Sequence, residues 1–212
     1  MAPLAPDLFV AWMSSHIAND KKFGRKVFHY HPRSDEHSKK LCSLVLDDLK
    51  ASSAMLANHL SKGKVVAGIN EPYIFATGKK KTLDLAIGTP AKAGGIDRLL
   101  VACEAKQCMT EHGKTQPRIF DELSSAHEIV HQGDTLIISL GVVVVNIADR
   151  YASPTRQTTG DGPLNISNHR QPAVTESMVN HLRGLKTRDN VGEVGFDAFA
   201  TIVIDCDNVG AC

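Results

Sequence analysis

The chain has 212 residues, of which 42% are apolar and 22% charged, and its formal net charge is +1. That length suits one domain with a substantial core, and the composition is that of an ordinary soluble globule. The near-neutral balance excludes a generally basic nucleic-acid binder, so contact with nucleic acid has to come from local patches.

Five cysteines (42, 103, 108, 206 and 212) are spaced unlike a disulfide framework and read as reduced core thiols, which fits the cytoplasm. There is no CxxC, and the ten histidines are scattered, which argues against zinc. The first residues, MAPLAPDLFVAWM, have no basic n-region and carry an early Asp7, unlike a signal peptide. The longest apolar run, residues 136–147, falls short of the roughly 20 that a membrane-spanning helix needs. No membrane partner is expected.

In chain order, residues 7–19 read as a short amphipathic helix with Leu8, Trp12 and Ile17 on one side. Residues 21–33 interleave cations with Phe23, Phe28, His29, Tyr30 and His31, a mixture that suits nucleic-acid backbone or a plain solvated arm. Ser34 and Asp35 offer a cap. Residues 38–60 form the strongest helical pattern, with Leu41, Leu44, Val45, Leu49, Met55 and Leu56 at three- and four-residue spacing, ending near 61–63. Two strands are expected at 64–69 and 73–76, and Lys79, Lys80 and Lys81 make a charged turn. Lysines there would add phosphate attraction without sequence information, or serve as an ordinary hairpin tip.

Residues 82–88 (TLDLAIG) and 99–107 (LLVACEAKQ) are the strands that carry chemistry. Alternation puts Asp84 with Ala86 and Gly88, and Leu83, Leu85 and Ile87 on the other face. In the second strand Ala102, Glu104 and Lys106 share a face, opposite Val101, Cys103 and Ala105. Residues 88–98 read as a loop and 108–115 as an irregular polar stretch. Pro117 suits the start of a helix over 117–131, with Ile119, Leu123, Ala126 and Val130 as its stripe. Residues 135–147 predict a central strand buried on both faces. Residues 149–172 are a long polar excursion, functional or a docking place. A helix over 173–185 and a buried strand over 196–205 complete the chain.

Two carboxylates and an ammonium on one face of an apolar strand pair call for a reason. Asp84 followed by Glu104-Ala105-Lys106 resembles the PD-(D/E)XK nuclease superfamily, over roughly residues 34–147, with Leu83 where the family often has proline. The resemblance implies an α/β fold with a restriction-endonuclease-like core, a central mixed sheet flanked by helices on both faces. The expected layout is an N-terminal helix and arm (1–33), catalytic core (34–147), long loop (148–172) and C-terminal helix and strand (173–212).

It also implies a Mg²⁺-dependent DNA endonuclease, either a type II restriction enzyme or a phage-defence nuclease, with Mn²⁺ able to substitute. A phosphodiester is anionic, so its hydrolysis needs a nucleophile formed at neutral pH and charge neutralisation, which a carboxylate-held divalent cation supplies. Asp84 and Glu104 would be ligands, with the Ala105 carbonyl completing the set. Lys106 would orient or deprotonate the attacking water, or stabilise charge on phosphate. Accessory candidates are Gln107, His112, Arg118, Glu122 and, from the first core helix, Glu36, alongside Asp47 and Asp48. The expected partners are double-stranded DNA and further copies of the chain, since cutting both strands takes two sites in a symmetric homo-oligomer.

The alternatives are an effector nuclease activated by a cyclic oligonucleotide, and a catalytically silent DNA-binding module on the same fold. Solvent-facing ion pairs are the competing structural explanation. No P-loop, GxGxxG, GxSxG or HExxH supports another enzyme class.

Overall fold

The computed structural model describes residues 5–22, 35–152, 166–168 and 173–207. The helices are α1 (Ala5–Lys22), α2 (Asp35–Ser52), α3 (Ala54–Ser61), α4 (His112–Gly133) and α5 (Ala173–Leu182). The strands are β1 (Val66–Ile74), β2 (Lys80–Pro90), β3 (Ile96–Cys108), β4 (Ile138–Asn146), β5 (Arg150–Ala152), β6 (Ile166–Asn168) and β7 (Ala198–Ile204). Five strands form one mixed sheet in the order β1-β2-β3-β4-β7, and β5 pairs with β6 apart from it. The first three strands meander antiparallel, while β4 runs parallel to both β3 and β7. Parallel neighbours need a crossover, and α4 supplies the one between β3 and β4.

Helices cover both faces. On one, Phe9 and Met13 of α1 and Leu41, Cys42 and Leu44 of α2 pack on Leu85, Ile87, Cys103, Ala105, Val142 and Val144. On the other, Ile119 and Leu123 of α4 and Met178 and Leu182 of α5 pack on Val143 and Val145. Farther along that face, Val130 meets Ala86, Leu99 and Ala102. The predicted α4 stripe is therefore the buried one, and β4 is an interior strand, largely buried between β3 and β7.

Several expectations about the elements are corrected. The helix read over 38–60 is two helices, because Ser53 breaks it and caps the second with Oγ accepting from the Leu56 N–H. The strands read at 64–69 and 73–76 are one, since pairing with β2 continues on both sides of Asn70, which takes a left-handed φ of 54°. The loop read over 88–98 shrinks to a turn between Pro90 and Ile96, where Gly94 and Gly95 supply positive φ. A β-bulge follows at Gly88, where a side chain would collide with the Arg98 carbonyl. The irregular stretch read over 108–115 shrinks to 109–111: β3 runs to Cys108, and α4 begins at His112 and holds Pro117 inside its second turn. In α1 the buried residues are Phe9 and Met13, while Leu8 is exposed. β7 is a partly exposed edge strand, with Val203 open to solvent. Cys206 is disulfide-bonded, unlike the free and buried Cys42, Cys103 and Cys108. Burial pushes the Cys103 and Cys108 thiols up to about 12, so both stay protonated. The cationic arm beyond residue 22, the Ser34 cap and residues 153–165 and 169–172 of the long excursion lie outside the described residues.

Two buried polar knots hold the sheet ends. Asn146 donates to the carbonyls of Met109 and Cys206 and accepts from the Cys206 and Ala148 N–H groups, tying the ends of β3, β4 and β7 together. At the opposite end, Arg188 grips Asp197 through Nε and Nη2 and donates to the carbonyls of Thr135, Ile137 and Glu193. Removing one member of such a pair strands the other charge. Arg188→Ala should therefore cost about 3 kcal/mol of unfolding free energy, measured by urea denaturation.

Candidate active site

The β2–β3 hairpin delivers four charged groups to the α4 face. Lys106 Nζ lies 2.6 Å from Glu104 Oε1 and 3.8 Å from Asp84 Oδ2. Lys81 Nζ lies 3.1 Å from Glu104 Oε2. Both oxygens of Glu104 thus carry an ammonium, and its side chain is 8% exposed. Glu122 of α4 closes the set at 3.8 Å from Lys106. Lys81, Glu104, Lys106, Asp121, Glu122 and Ser125 line a cleft of about 470 Å³.

A slip in strand phase explains how Lys81 gets there. Strict alternation puts positions 81 and 84 on opposite faces. Leu83, however, packs with Ala86 and Ala102, not with Leu85 and Ile87. Opposite this slip β1 carries the left-handed Asn70, and the β1–β2 register contains no pairing of Asn70 with Asp84. Lys81 and Asp84 consequently serve the same side.

Asp84 Oδ2 accepts the Ala105 N–H at 2.9 Å. In an antiparallel strand the N–H and C=O of one residue leave on the same edge, so the Ala105 carbonyl also leaves toward β2. Among the described residues Asp84 Oδ1 has no hydrogen-bond partner. Burial and the neighbouring Glu104 raise the Asp84 carboxyl above its ordinary value, against the pull of Lys106, the Ala105 N–H and Lys81. For Lys106 burial pulls down, but Glu104, Asp84 and Glu122 together outweigh it and the ammonium is held more tightly than usual.

The other sequence candidates separate. Arg118 is exposed and reaches the site only through Glu122, at 3.0 Å. Gln107 turns to the opposite face, where its Oε1 meets His37 Nδ1 at 2.7 Å. His112 is buried, its Nε2 2.8 Å from the Asn146 carbonyl, so it braces α4 against β4 instead of touching a ligand. Glu36 sits on α2, across the sheet, paired with Lys39. Asp47 pairs with Lys50 on that same helix. Lys79 and Lys80 are exposed, and Lys79 donates to Gln132. Sequence reasoning placed Lys81 on the turn and missed Asp121 and Ser125. Those two follow from the helical spacing of Asp121, Glu122 and Ser125 along α4, one turn apart.

No protein-family model, curated protein or solved structure matches the chain. What the cleft can do follows from its donors. Among the described residues no three His, Cys, Asp or Glu side chains are arranged to hold a metal ion. Two carboxylates and a backbone carbonyl instead suit a cation that keeps several waters, as Mg²⁺ does. Asp84 has an unused oxygen and suffers repulsion from Glu104, which a divalent cation would relieve. The residues fit such an ion.

Folding raises the proton affinity of Asp84. The group therefore favours the fold fully below its unfolded value, and that contribution is lost as pH rises through the folded value. Asp84→Asn, which removes the repelled charge, should raise the melting temperature at neutral pH by about 2–4 °C, a gain that vanishes in acid. Glu104→Gln should lower it, since Lys81 and Lys106 would face each other without their shared anion. Thermal scans of both variants across pH, in EDTA, check the opposite signs.

Proposed function

We propose that the chain is a Mg²⁺-dependent DNA endonuclease of restriction or phage defence, acting in the cytoplasm on a restriction-endonuclease-like core. The observation that carries this reading is the convergence of Asp84, Glu104 and Lys106 on one face of the β2–β3 hairpin. The mixed sheet with helices on both faces is compatible with that core. Among the described residues no helix is long and apolar enough to cross a membrane.

Asp84 Oδ1, Glu104 and the Ala105 carbonyl would hold the cation. Bound there, Mg²⁺ (or Mn²⁺) supplies hydroxide at neutral pH and neutralises charge on the phosphate and leaving oxygen. Lys106, within 4 Å of Asp84, Glu104 and Glu122, would stand beside the cation and donate to a phosphate oxygen. Glu122 steadies that ammonium, and Arg118 steadies Glu122. The exposed Lys79 and Lys80 attract the DNA backbone without reading sequence. Cutting both strands calls for a second copy, in a symmetric dimer or higher oligomer.

A second reading is a module that holds DNA without cutting it. It is favoured by the engagement of both Glu104 oxygens with ammonium groups. Activation by a cyclic oligonucleotide would make the same chemistry conditional, and residues 148–172 would be the docking segment.

Incubating supercoiled plasmid with the native chain and Mg²⁺ should give nicked and linear products, abolished by EDTA. Glu104→Ala should lower the rate by at least about 10²-fold. Metal-independent retention of DNA with intact plasmid would instead establish the binding module. Sequenced product ends separate a restriction enzyme, with one motif, from an effector, with random ends that appear only on addition of a nucleotide. Lys106→Gln should suppress cleavage to a similar extent while Mg²⁺ binding, read by calorimetry, persists.

A further inference from the structure

The four charged groups of the β2–β3 hairpin, Asp84, Glu104, Lys81 and Lys106, sum to no net charge, with both Glu104 oxygens occupied. A divalent cation approaching Glu104 therefore meets two ammonium groups already in place. They are not held alike. Lys106 has three carboxylates within 4 Å, so leaving Glu104 would still leave it Asp84 and Glu122. Lys81 has Glu104 as its one carboxylate partner among the described residues, at a longer 3.1 Å. The two ammonium groups are about equally exposed, so the difference lies in the carboxylates that hold them, and the Lys81 stem is flexible enough to carry its ammonium to another anion.

We propose that Lys81 is a latch on Glu104: its ammonium competes with the divalent cation and releases the carboxylate when a phosphate of the nucleic acid offers it another anion. This rests on the metal reading of the site and deepens it. Lys81 is a positioning residue that acts through Glu104. The consequence is coupling. Nucleic acid that draws Lys81 away frees Glu104 for the cation, and by linkage the cation strengthens the hold on nucleic acid by the same factor. The resting site takes up Mg²⁺ weakly, so hydrolysis is tied to a seated backbone. Strict strand alternation would put Lys81 on the far face, so the phase slip at Leu83 and Asp84 is what creates the latch.

The test is calorimetric titration of Mg²⁺ into the full chain, with Lys81→Met and Lys81→Arg as variants. Removing the competitor should tighten Mg²⁺ binding about tenfold or more, an effect that damage to the fold would not produce. Lys81→Arg, which keeps the charge, should stay close to native. Adding a short duplex with phosphorothioate linkages should tighten Mg²⁺ binding to the native chain and leave Lys81→Met unchanged. Equal or weaker Mg²⁺ affinity in Lys81→Met, with native binding intact, overturns the latch alone. Absence of Mg²⁺ binding in the native chain and both variants overturns the latch together with the metal reading. Should Lys81→Met fail to fold, Lys81→Gln carries the same comparison.

Discussion

The open end of this sheet is governed by one nearly dry carboxylate. Taking an ionised carboxylate out of water costs several kcal/mol even after relaxation. One ammonium at about 4 Å returns roughly 4 kcal/mol under the partial screening of a protein surface, so a single partner only balances the loss. Glu104 has two, one from its own strand and one from the neighbouring strand. The pairing therefore ties β2 to β3 beyond the backbone ladder, whose regular register stops at Leu85 and Cys103. Beyond that point side chains do the joining: Asp84 takes the Ala105 N–H, and Glu104 takes both lysines.

This arrangement is poised between stability and chemistry. Asp84 is held close to a like charge, a cost that the lysines reduce without removing. The buried knots at Asn146 and Arg188 are the counterweight: every polar contact in them is matched, so the rest of the sheet can tolerate an imperfect cleft.

Much of this was legible in the chain, and the failures have physical causes. The period-two pattern exposed Asp84, Glu104 and Lys106, and the 3.6 pattern of Ile119, Leu123, Ala126 and Val130 exposed the helix that faces them. The parity that pairs Glu104 with Lys106 also sends Gln107 to α2, and applying it one residue further would have removed that candidate. Glu36 could not be sorted, because periodicity gives the apolar side of a helix but not the sheet face it covers. Trp12 does pack against the core, but Phe9 and Met13 were passed over for Leu8 because two overlapping stripes exist and tertiary contact chooses between them. Lys81 was hidden for a different reason. Its place depends on a break in alternation set by Asn70 on another strand, and no local pattern around Lys81 announces it.

Asp84, Glu104, Lys81 and Lys106 all ride on β2 and β3, joined by the short turn between Pro90 and Ile96. Local pairings of this kind assemble early, whereas the parallel unions of β3 with β4 and of β4 with β7 wait for long loops to close. The charged quartet therefore depends on closing one short turn, while most of the hydrophobic interior depends on long connections. Binding energy spent on that hairpin would be spent on the part of the sheet whose closure costs the chain least.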